Sequence, residues 1–101
     1  MSERNGSPQF PLGQVVATPG ALSALEESGQ SPQQFLSRHV RLEKGDLCTE
    51  DHDLNSEAIE NGSRILSSYS TSKDVKIWII TEAANDCGQR AATTLLLPEE
   101  Y

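Results

Sequence analysis

Aromatic residues are scarce in this chain: Phe10, Phe35, Tyr69, Trp78 and Tyr101 are the whole supply among 101 residues. Hydrophobic residues make up 36%, below the usual share for a globular domain. The core is therefore expected to be small, with a net stability on the order of 5 kcal/mol. Long apolar runs are missing too. No stretch approaches the ~20 residues that cross a bilayer, and the opening MSERNGSPQF holds no apolar run of the kind a secretion signal needs. Cysteine occurs twice, as Cys48 and Cys87, far apart and in no CxxC pair. Two reduced thiols in a cytoplasmic protein are the expectation. Positive charge is the third shortage. Eight Lys and Arg face fifteen Asp and Glu, for a formal net charge of −7. Such a surface repels phosphate backbones and anionic membranes, and is compatible with a basic protein partner. Catalytic signatures are absent as well: there is no glycine-rich phosphate loop, GxSxG, HExxH or paired CxxC. No cofactor and no metal are expected.

What is present divides into a polar arm, a helical half and a strand half. Residues 1–13, with Gly6, Pro8 and Pro11, read as a disordered arm whose Phe10 and Leu12 can tack its end onto the domain. Val15 and Val16 suggest a short edge strand. Thr18-Pro19 starts a helix with a capping hydroxyl and a proline at the first helical position. Leu22 and Leu25 are expected on its buried face, and Gly29 ends it. Ser31-Pro32-Gln33-Gln34 has the form of a capping box, followed by Phe35, Leu36, His39 and Val40 at helical spacing. Thr49 is expected to cap a third helix, Glu50 to Asn61, whose acidic first turn suits the positive end of the helix dipole. Leu54 and Ala58 form its apolar stripe, and Gly62 stops it. Three β-rich runs follow, Arg64 to Tyr69, Val75 to Thr81 and Ala92 to Leu97. The run Ile77-Trp78-Ile79-Ile80 is apolar on both faces, so this strand is expected in the middle of the sheet. Short links favour an antiparallel meander. The expected fold is α+β: three short helices (19–61) packed on a three- or four-stranded antiparallel β-meander (63–98), in one domain spanning 14–101.

Two sets of residues carry chemistry. His39 lies beside Phe35 and Val40, and a partly buried imidazole can serve as a general base near neutral pH. With Arg64 to hold a phosphate and Thr81 and Thr94 to position it, such a histidine makes a metal-independent ribonuclease site. The second set is acidic: Asp46, Glu50, Asp51, Asp53, Glu57 and Glu60 on and near the third helix, a surface for a basic protein. His52 lies among Asp51, Asp53 and Asp46 with Cys48 nearby, but consecutive helical residues point to different sides, so they do not converge on one ion.

The stretches TPGALSALEESGQSPQQFLSRHV, GDL…ED…N, RILSSY, KIWIITEA and TTLLLPEEY resemble a family of small uncharacterised bacterial proteins carried on plasmids and integrated mobile elements, sometimes mislabelled as restriction-modification subunits. The likeness covers roughly residues 18–101. It implies a mobile-element setting and no particular activity. The sequence departs from that pattern at Arg41 to Asp46, in place of a loop with glycine and tryptophan, and in a longer link from Ala83 to Ala92. Helices with a histidine before a threonine-bearing meander are also similar in architecture to barnase-like and mRNA-interferase toxin ribonucleases, with His39, Arg64, Thr81 and Thr94 as the matching positions. The two expectations are thus a non-enzymatic accessory protein of a mobile element with a protein partner, and a small endoribonuclease. The molecule is expected as a monomer or, through a bare strand edge, a dimer.

Overall fold

Thr18 and Pro19 begin the first helix as their chemistry requires. In the computed structural model, which describes residues 8–101, α1 runs Pro19–Ser28, and the Thr18 hydroxyl accepts from the Ala21 N–H at 3.2 Å. Gly29, in the left-handed conformation at φ 72°, closes it. Helix α2, Pro32–Val40, starts with the Gln34 side chain reaching back to the Ser31 N–H at 2.8 Å. Helix α3 spans Thr49–Asn61 and has Cys48 in the N-cap position, so Thr49 is the first helical residue and not the cap. Two inward assignments also change. Leu22 and Leu54 are exposed, while Ala21, Ala24 and Leu25 of α1 and Asn55 and Ala58 of α3 turn inward.

The strands are β1 Gln14–Ala17, β2 Ile65–Ser70, β3 Lys76–Thr81 and β4 Ala92–Leu96. They form one sheet in the order β1-β4-β3-β2, so the strand of Trp78 is interior, as its apolar character requires. The sheet is not an antiparallel meander throughout. Pairs β2/β3 and β3/β4 are antiparallel, but β1 lies parallel to β4 with Val15 opposite Thr93. A parallel pair needs a long crossover; here the three helices and two strands between β1 and β4 supply it. Gly13 makes the join possible: at φ 66°, an added Cβ would collide with the carbonyl groups of Arg90 and Ala91.

All three helices lie against one sheet face. On that face Ile65, Ser67, Tyr69, Ile77, Ile79, Thr81, Thr93 and Leu95 are all 0% exposed. The main apolar cluster joins Ala21, Ala24, Leu25, Phe35 and Leu36 to Tyr69, Ile77, Ile79 and Leu95. A smaller one joins Phe10, Ala58 and Ile65. Phe10 is buried and Leu12 packs with both clusters, so the packed domain takes in residues before position 14. The expected arm at residues 1–7 lies outside the described residues. The opposite sheet face carries Leu66, Trp78, Ile80, Thr94 and Leu96 and, among the described residues, no α-helix. A short 3-10 turn, Pro98–Glu100, brings the Tyr101 ring edge-on to Trp78 at 5.8 Å. No helix among the described residues is long and apolar enough to cross a membrane.

Candidate functional site

His39 sits at 0% exposure between α2 and the sheet. Its Nδ1 lies 2.6 Å from the Ser67 hydroxyl and its Nε2 2.8 Å from that of Thr81. Thr81 is 2.7 Å from the hydroxyl of Thr93, which donates to the Leu12 carbonyl at 2.8 Å. That terminal carbonyl can only accept, and this sets the direction of the chain as far as His39 Nε2. Thr93 donates to Leu12, Thr81 to Thr93, His39 Nε2–H to Thr81, and Ser67 to His39 Nδ1. The chain puts a proton on Nε2; the bare Nδ1 that accepts from Ser67 follows from burial, which keeps the imidazole neutral. Burial lowers its pKa from 6.5 to about 3. Phe10 meets the ring edge-on at 5.1 Å. Among the described residues no charged side chain hydrogen-bonds or ion-pairs with His39. The network ties α2, β2, β3, β4 and the segment before β1 together at the centre of the domain.

The sheet divides the candidate catalytic residues. His39 and Thr81 are bonded to each other on the helix face. Arg64 and Thr94 line a hollow on the other face with Ile80, Glu82, Leu96 and Tyr101. The alternation of β-strand side chains is the cause: Thr81 pairs with Thr93 in register, while Thr94 pairs with Ile80 and points the other way. A phosphate held by Arg64 cannot touch His39, because the sheet intervenes and the imidazole has no exposed surface. The convergence expected of His39, Arg64, Thr81 and Thr94 on one phosphate is corrected accordingly. Arg38 and Arg41, which flank His39 in sequence, are committed elsewhere: both bind Glu43, at 3.0 and 2.7 Å.

The acidic set also separates, into one residue and five. Asp46 is bound by the Ser70 hydroxyl at 2.6 Å and Lys76 at 3.0 Å, and these bonds hold its carboxyl below the usual range. It belongs to the end of the β2–β3 hairpin. Glu50, Asp53, Glu57 and Glu60 recur at spacings of three and four on α3, with Asp51 beside them, and all five are exposed. None has an ion-pair partner among the described residues. Leu54, 59% exposed, lies within this stripe. His52 donates from Nε2 to the Leu42 carbonyl at 2.8 Å, a structural bond, and no group of three or more metal-ligating side chains occurs among the described residues.

Two residues outside both candidate sets hold α3 in place. Asn55, buried in α3, donates to the Leu66 carbonyl at 2.6 Å and accepts its N–H at 3.1 Å. Its amide thus pairs with the outer edge of β2 as a further strand would, and the Asp46 N–H covers Ser68 O beside it. An amide at an inward position between His52 and Ala58 is the signal that marked it. Arg90, 6% exposed, donates to the carbonyls of Ser63, Glu82 and Ala58 at 2.7, 3.0 and 3.0 Å. The Ala58 bond places a cation at the C-terminal end of α3, where the helix dipole favours it. Desolvation lowers its pKa. Its partners are carbonyls from three separate segments, which leave no pattern in the sequence.

The fold and surface define a small α+β domain with a one-sided helical layer, a sealed polar core and an acidic outer helix. Comparisons with protein-family models, with curated proteins and with solved structures find no match.

Proposed function

We propose that this protein is a non-enzymatic accessory or regulatory protein that binds a basic protein partner through the outer face of α3. One observation carries the reading: Glu50, Asp51, Asp53, Glu57 and Glu60 surround the exposed Leu54 without a cation among them. Like charges three and four residues apart on a helix repel by about 0.2–0.5 kcal/mol per pair. The stripe therefore opposes helix stability, and a cationic surface would relieve that repulsion while Leu54 supplies an apolar contact. Helix α3 is well placed for the role. Asn55 and Arg90 fix its inner side to the sheet, so its outer face is presented rigidly. The resemblance of residues 18–101 to a family carried on mobile elements supports a setting in such an element and a cytoplasmic location.

The test pairs the parent with a variant carrying Glu50→Gln, Asp53→Asn, Glu57→Gln and Glu60→Gln. Both are used as bait in a bacterial lysate at low and high salt. A basic protein retained by the parent, released by salt and lost with the variant is the expected result. The variant should stay within about 1 kcal/mol of the parent in stability, since the relief of repulsion offsets the loss of Glu50 at the positive end of the helix dipole. Equal recovery by both baits, or none above background, would refute the proposal.

A further inference from the structure

The open face of the sheet carries a second set of charges, independent of α3. Register places Arg64 opposite Glu82, one step beyond the Ile65–Thr81 pair, and both side chains line a hollow of about 190 Å³. Cross-strand neighbours of opposite sign ordinarily pair with each other. Here they do not: neither side chain has an ion pair or hydrogen bond among the described residues, and the Thr94 hydroxyl between β3 and β1 has none either. The floor is apolar, made by Ile80 and Leu96, and Tyr101, an exposed residue, forms a wall with its ring edge-on to Trp78. A guanidinium fork and a carboxylate, both exposed to solvent, and a half-buried hydroxyl thus border an apolar floor without a protein partner among the described residues.

We infer that this hollow binds a free α-amino acid with an apolar side chain. The guanidinium of Arg64 matches a carboxylate with two parallel bonds, Glu82 accepts from an ammonium, and Thr94 can serve either group. Ile80, Leu96 and Tyr101 would receive a side chain the size of leucine or phenylalanine. Charge selects this class further. A protein of net charge −7 repels nucleotides, and Glu82 would face their phosphates, whereas a zwitterion carries no net charge. A neutral heterocycle such as a nucleobase would match the shape, but would meet two formal charges with weaker, uncharged hydrogen bonds.

The full-length, ¹⁵N-labelled chain is titrated with L-leucine, with leucinamide, with N-acetyl-leucine and with guanosine, and amide resonances are followed. Leucine should shift Arg64, Ile80, Glu82, Thr94 and Leu96 saturably with a Kd on the order of 1 mM, and should change Trp78 emission. Blocking either charged end should weaken binding by about tenfold or more. Arg64→Gln and Glu82→Gln should do the same with the remaining spectrum preserved. If a variant loses its dispersed spectrum, the analogue series still decides. No saturable shift at about 10 mM leucine, equal binding of the blocked analogues, or guanosine moving these resonances while leucine does not, would each overturn the assignment. The α3 proposal stands or falls separately.

Discussion

Acid should destabilise this protein well above the range where carboxylates titrate, and His39 should be the cause. In the native state its imidazole is neutral with a pKa lowered to about 3, whereas in the unfolded chain the value is the ordinary 6.5. Between those values the unfolded state binds a proton that the native state refuses, so stability rises with pH across that window and falls on acidification. The slope for one such group is about 1.4 kcal/mol per pH unit. From pH 6.5 to 4.5 the loss is about 2 kcal/mol, since the slope is only half developed at pH 6.5, and this is a large share of a total on the order of 5 kcal/mol. Carboxylates act lower. Asp46 and Glu100 are held below their ordinary values of 3.8 and 4.5, and the stability they contribute is lost only as pH falls past those values. Urea unfolding followed by the emission of Trp78, the one tryptophan, measures the slope directly. His39→Gln keeps a donor and an acceptor but no titrating group. It should be less stable than the parent by about 1–3 kcal/mol at pH 7, and nearly flat from pH 6.5 to 4.5. The same slope in parent and variant would refute the reasoning, as would an imidazole ¹⁵N pattern showing protonation at pH 5.

Arg90→Met should cost about 2–4 kcal/mol, because three carbonyls lose a charged donor in a buried setting, and Arg90→Lys should recover little since an ammonium cannot reproduce the fork; chemical denaturation checks both. Asn55→Leu should uncover the Leu66 N–H and carbonyl on the outer edge of β2, lowering stability by about 1–3 kcal/mol and producing concentration-dependent self-association in sedimentation experiments. Gly13→Ala should destabilise through its positive φ and its clash with the carbonyls of Arg90 and Ala91, with faster hydrogen exchange at the amides of Gln14 and Thr18 that join β1 to β4.

Much of the secondary structure follows from short-range chemistry. Thr18-Pro19, Ser31 with Gln34, and the glycines at 29 and 62 act within a few residues of themselves, so their roles in starting and ending helices could be read locally. The same holds for the interior place of Trp78's strand, since four consecutive apolar residues suit a strand paired on both edges and covered by helix on at least one face. The parallel pairing of β1 was not legible, because Val15 and Val16 are compatible with either sheet edge and either direction. His39 shows the division most clearly. Its position on the inner face of α2 is a matter of helical spacing, and that much the chain's own order decides. Whether such a histidine is a base or a core residue depends on what lies across from it. Ser67, Thr81, Thr93 and the Leu12 carbonyl come from four distant segments and meet only in the folded state. The divergence of Thr81 from Thr94 is likewise a fact of sheet alternation and register, which place neighbours on opposite sides of a wall one residue thick. Local order chose the elements; their packing decided which polar groups were sealed in the core and which were left facing water.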